Sequence, residues 1–147
     1  MVYTLFNELL EQNIQTCSFS FNEIKKEHLS LKLNNRTASV GFIYRHIGEI
    51  MLLFGPFFGV QTAIQNTTMG HQDEGQGANL EESQNLIKEG YALLKQIIEN
   101  TDEEGWKEAV DTPFFGTVSK ARLFSHILYH NAYHAGQIGL SLKRAQA

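Results

Sequence analysis

Apolar residues return every three or four positions in four separate stretches of this chain, the period of a helix with one buried face. Val2, Leu5, Phe6, Leu9, Leu10 and Ile14 share such a face over about the first fifteen residues. A second helix is predicted from near Ser39 to near Gly59, with Val40, Ile43, His46, Ile47, Ile50, Met51 and Phe54 as its inner stripe. Pro56 lacks a backbone donor and should kink or end it. The third opens at Asn79, a good N-cap, with Glu82 three residues on as in a capping box. Leu86, Ile87, Leu93, Leu94, Ile97 and Ile98 mark its inner face. The fourth runs from about Thr117 to Arg144 and turns Phe124, Ile127, Leu128, Asn131, Ala135, Ile138 and Leu142 inward. Lys143 and Arg144 at its end complement the helix dipole.

The connections are less regular. Residues 16–37 alternate apolar and polar twice (Cys17, Phe19, Phe21, then Leu29, Leu31, Leu33), which predicts short extended pieces. Residues 59–78 hold Gly59, Gly70, Gly75 and Gly77 among polar side chains and read as a mobile loop. Residues 101–116, with Pro113 and Gly116, form the third link. Repeats, long heptad arrays and domain linkers are absent from the pattern. Four striped helices in 147 residues predict an all-α fold, a four-helix bundle in a single domain over residues 1–147.

Composition agrees and narrows the partners. Hydrophobic residues make up 42% and only two prolines interrupt them, which favours long helices. The net charge is −4, and Lys25-Lys26 and Lys143-Arg144 are the only adjacent basic pairs, so no nucleic acid is expected as a partner. The opening residues lack the basic region and apolar core of a signal peptide, and no stretch nears the eighteen or so apolar residues of a membrane span. No membrane partner is expected, and a cytoplasmic location is. Cys17 is the single cysteine, which excludes an internal disulfide and a Cys-rich zinc site.

Candidate chemistry lies in the histidines. His130-Asn131-Ala132-Tyr133-His134 sits within the fourth helix, with Gly136-Gln137 just after it. Two residues four apart on a helix stand about 40° round and about 6 Å along from each other, so both imidazoles can reach one ion. Imidazole suits zinc, nickel, copper and iron, and catalysis would need a third ligand and an open position. His46, inward on helix two, can supply the third ligand if the two helices pack side by side. Three neutral imidazoles grouped without metal would leave polar nitrogens to satisfy, at about 1–3 kcal/mol for each one unpaired. His126 competes for a place one turn before His130, and spacing alone does not choose between the pairs. His28 and His71 fall in connections and read as solvated.

Other chemistries fail on the same residues. A gluzincin protease needs Glu directly after the first histidine, where Asn131 stands. A di-iron bundle needs two Glu-x-x-His elements, and the chain has only the reversed fragment His46-Ile47-Gly48-Glu49. Gly75-Gln76-Gly77 lacks the third glycine and the preceding strand of a dinucleotide site. Cys17 reads as packing. Arg45, Arg122 and Tyr133 could anchor an anionic substrate, but ordinary surface or packing roles are favoured for each.

Ser39-Val40-Gly41-Phe42-Ile43-Tyr44-Arg45-His46-Ile47, together with His130-Asn131-Ala132-Tyr133-His134-Ala135-Gly136-Gln137-Ile138, resembles the DinB-like (DinB/YfiT) metalloenzymes. That resemblance implies a bundle with a crossover connection and a divalent metal, zinc or nickel before iron or manganese. Carried over, the ligands are His46, His130 and His134, which decides against His126. Glu49 and Gln137 are candidates for supporting the ligands or touching substrate, Glu49 also for a fourth ligand, and Gly136 for a close helix approach. The implied activities are transfer to or from a small thiol such as mycothiol or bacillithiol, or hydrolysis, on a small-molecule substrate. The alternative is a non-catalytic, stress-related metal- or ligand-binding bundle. A homodimer is compatible with either. The family name refers to damage-inducible expression and implies no DNA contact.

Overall fold

The computed structural model describes residues 1–144, so the last three residues of the expected domain lie outside it. Four long helices form the bundle: α1 (Val2–Phe21), α2 (Val40–Leu53), α3 (Leu80–Glu99) and α5 (Lys120–Arg144). A short α4 (Glu103–Lys107) and a hairpin of β1 (Ala109–Thr112) and β2 (Gly116–Ser119) lie between α3 and α5. The inner faces predicted for the second, third and fourth helices are buried, His46 being half-buried. Ser39 caps α2 by accepting from the Phe42 amide, and Pro56 sits in the 3-10 turn Gly55–Phe58 that follows it.

The helices run up, down, down, up. α2 and α3 are parallel, because their contacts ascend together: Gly41 meets Gly77, Gly48 meets Leu86, and Met51 meets Gly90. A Cβ at Gly48 would lie 2.7 Å from the Leu86 Cβ, so the two helices approach closely beside the histidines. α1 and α5 are parallel as well, with Phe6 on Phe124, Asn13 on Leu128 and Ser20 on Gly139. α2 runs against α5. Parallel neighbours require a return path along the bundle, and residues 54–79 supply it as the expected crossover.

Several sequence expectations change here. α1 continues through Cys17 to Phe21 because Phe6, Leu10, Asn13 and Cys17 form one helical stripe, and Phe19 points to solvent. Leu5, Leu9 and Ile14, expected inward, are exposed. Among residues 22–37 there is a 3-10 turn at Lys26–His28 and no strand. The fourth helix starts at Lys120, because residues 117–119 pair with 109–111 instead, with Val118 buried beneath the hairpin. Residues 59–78 are not loose: Thr62 bonds to the Leu52 carbonyl, and the Ser39 amide donates to Asp73 at 2.7 Å. At Gly136 an added Cβ would meet nothing within 4 Å, so the close approach to α5 lies at Gly139, against Ser20.

Candidate metal centre

Antiparallel packing of α2 on α5 sets His46 opposite two successive turns of α5. His46 Nε2 lies 3.0 Å from His130 Nε2, and His46, His130 and His134 each bring one ring nitrogen within 4.8 Å of the others. No other histidine, cysteine or carboxylate joins this group among the described residues. His126 lies one turn away, its ring 5.8 Å from that of His130 and 4.6 Å from that of Phe115. His28 accepts from the Lys25 amide at a turn, and His71 is exposed.

Hydrogen bonds behind the rings decide where the lone pairs point. Thr68 donates to the carboxylate of Glu49 at 2.6 Å, so its oxygen accepts from His46 Nδ1 at 3.0 Å. Gln137 Oε1 accepts from His134 Nδ1 at 2.6 Å. Both rings therefore carry their proton on Nδ1 and turn an Nε2 lone pair inward, the state a metal ligand requires. His130 Nδ1 is buried without a partner, so this ring alone has no acceptor fixing its tautomer. Without an ion, its Nε2–H can donate to His46. Three inward imidazole nitrogens are a fitting donor set for zinc or another borderline divalent ion.

Glu49 stands behind this arrangement and not in it. It is fully buried, and its oxygens accept from Arg45 Nε, the Thr67 amide and hydroxyl, and the Thr68 hydroxyl. That set leaves it no role as a fourth ligand. Arg45 also donates to Glu82 at 2.7 Å, so it is committed to an ion-pair network and does not face a substrate. Glu82 thus spends its carboxylate on Arg45 and completes only half of the capping box, its amide donating to Asn79. Arg122 and Tyr133 are exposed. Thr67 and Thr68 were not singled out by sequence.

The sequence model of the DinB family matches residues 1–145. The chain belongs to the DinB family. No curated protein matches it in sequence. A solved structure similar to this DinB protein is the crystal structure of the conserved protein of a locus from Enterococcus faecalis. The two superpose with a TM-score of 0.69 over 97% of this chain and 98% of that one, at 14% identity, which supports the fold alone. Among the described residues of this DinB chain, no helix is long and apolar enough to cross a membrane.

Burial governs the electrostatics of this DinB site. It pushes His46 down to about 4 and His130 down to about 3, with neighbouring imidazoles adding to the effect. His134 is lowered by burial too, partly offset by Gln137. For Glu49, burial would raise the carboxyl, but the bonds from Thr67, Thr68 and Arg45 outweigh it and hold the group below its ordinary range. The histidines are thus neutral near pH 7 and ready to ligate.

A pH dependence follows. Each folded pKa lies below the ordinary value near 6.5, so the unfolded chain takes up protons first as pH falls. Stability present above about pH 6.5 is lost progressively towards about pH 4 and below, at about 1.4 kcal/mol per pH unit per histidine. Metal-free protein should therefore be about 3 kcal/mol less stable to urea at about pH 5.5 than at about pH 7. An unchanged stability over that interval would mean that the rings accept protons in the folded state.

Proposed function

We propose that this DinB-family protein holds one divalent cation on His46, His130 and His134, and works as a metal-dependent enzyme on a small molecule. The observation that carries the reading is the convergence of three imidazole nitrogens with no fourth protein donor among the described residues. Catalytic sites keep a position free in this way, whereas structural zinc sites are closed by four protein ligands. Zinc or nickel suits the all-nitrogen donor set best, ahead of iron or manganese. When bound, the cation lowers the pKa of a coordinated water or holds a coordinated thiol as its thiolate.

The protein's own residues supply orientation. Glu49 acts through Thr68 to hold His46, and Gln137 holds His134 directly. A cleft of about 410 Å³ opens on His46 and His134, which supports access for a small substrate. The two reactions consistent with this site are hydrolysis and transfer to a small thiol, in a cytoplasmic setting. One observation favours the non-catalytic alternative of a metal- or ligand-binding bundle: Glu49 is saturated and no carboxylate lines the cleft, so no free carboxylate base is at hand.

The test uses untagged protein titrated with zinc, nickel and cobalt. It is followed by assays of an activated ester, and of a small thiol with an aryl halide acceptor. One equivalent of metal and metal-dependent turnover in either assay is expected. Stoichiometric metal with no turnover in both would move the conclusion to the metal-binding bundle. No bound metal would remove the enzyme and the metal-binding readings together, leaving only a ligand-binding bundle.

A further inference from the structure

We propose that the cleft beside His134 selects a substrate whose body, away from the reacting group, is uncharged and mainly apolar, and turns away bodies that carry carboxylates, those of small thiols among them. This deepens the metal-enzyme reading above and rests on it for placing the reacting group. Its walls are Leu33, Phe42, Ile43 and Leu140, drawn from the segment before α2, from α2 itself and from the end of α5. The remaining lining is small or uncharged, and apart from the neutral imidazoles of His46 and His134 no titratable side chain reaches it.

Anion recognition normally uses a guanidinium, an ammonium or a helix N-terminus. No guanidinium or ammonium lines this cavity. The N-terminus of α2 borders it at Thr37, Ala38 and Phe42, but its amides are taken: Val40 donates to the Leu31 carbonyl, Gly41 to the Leu29 carbonyl and Phe42 to the Ser39 hydroxyl. Arg45, the nearest arginine in sequence to His46, is occupied by Glu49 and Glu82. Each cationic group left over stands outside the lining. A carboxylate held against these walls, away from the histidines, would shed its hydration without a partner, an expense that an apolar body of the same size does not meet.

Gln137 adds a directional element. Its Oε1 is taken by His134 Nδ1, and its Nε2 has no protein partner among the described residues. That amide is positioned to donate to a carbonyl, ether or hydroxyl oxygen on the substrate. On the other side of His46 and His130 lies a second cavity of only about 150 Å³, bounded by Phe54, Phe115 and His126. An apolar cavity of that size holds at most about one benzene-sized ring, so a larger substrate with polar groups is taken on the His134 side, where the cleft is about 410 Å³.

The probes are benzyl alcohol, benzoate and benzylammonium, matched in size and differing in charge. Binding is followed by NMR shifts of His134 and Ile43, which both line the cleft, in metal-free protein, because a bound cation would itself attract benzoate. Benzyl alcohol should bind at least about tenfold more tightly than either ion. Leu140 is 48% exposed at the rim, so Leu140→Lys should fold normally and at least reverse the order for benzoate. Equal or tighter binding of benzoate by the unaltered chain would overturn the proposal. So would no shift with benzyl alcohol, or an order unchanged in Leu140→Lys. A failed metal titration with the ligand order intact would instead sink the metal reading and leave the cleft selectivity standing.

Discussion

His130→Ala should lower the affinity of the chain for zinc by more than about a hundredfold, and His46→Ala should do the same. Removing a partner that merely orients a ligand typically weakens a site about 10–100-fold, so loss of a ligand itself must exceed that. Both rings are only half-buried, and alanine favours helix at either position, so the fold should survive. His126→Ala is the internal control. Its ring packs on Phe115 and stands outside the group of converging nitrogens, so zinc affinity should change by less than about threefold. Competition against a chromophoric chelator, on protein prepared without a histidine tag, measures all three. Equal affinities in His130→Ala and the unaltered chain would show that the cluster is not the binding site.

The histidine cluster was legible because it depends on two simple periodicities. A four-residue spacing on α5 and an inward place on α2 bring the candidates together once those helices are neighbours, while the choice of His134 over His126 rested on the family resemblance. What lies behind the cluster was not legible in the same way. Thr67 and Thr68 sit in a polar, glycine-bearing segment with no period, and they reach Glu49 only because the parallel pairing of α2 and α3 forces residues 54–79 back along the bundle. Arg45 and Glu49 did leave a trace, as opposite charges four apart on an otherwise apolar helix. Glu49 was legible only as a candidate for supporting the ligands or for a fourth ligand, because the sequence does not show that a loop covers it and occupies its oxygens. The hairpin was missed for a related reason: its strands are four residues each, and its turn at Pro113-Phe114-Phe115 lacks the Asn-Gly type of signal. On α1, Leu5 and Leu9 drew the inward stripe towards themselves, whereas Asn13 and Cys17 complete the buried one.

The same buried charges give the largest expected loss of stability. Glu49→Ala should destabilise the metal-free protein by about 3–5 kcal/mol, since breaking a buried ion pair leaves one charge without compensation. Of its two carboxylate partners Arg45 would retain only Glu82, whose side chain is 53% exposed, and Thr67 and Thr68 would lose the acceptor of their hydroxyls. Urea unfolding near pH 7 measures this. Zinc affinity should also fall, by about 10–100-fold, because Thr68 no longer directs the His46 ring. The two effects separate in the double variant Arg45→Met, Glu49→Leu. Apolar residues of similar volume can replace a buried pair at little cost, so most of the stability should return. The affinity should not return, because Thr68 still has no carboxylate to hold it. Recovery of zinc binding in that double variant would show that Glu49 serves only the packing of α2, and that His46 is positioned by the helix alone.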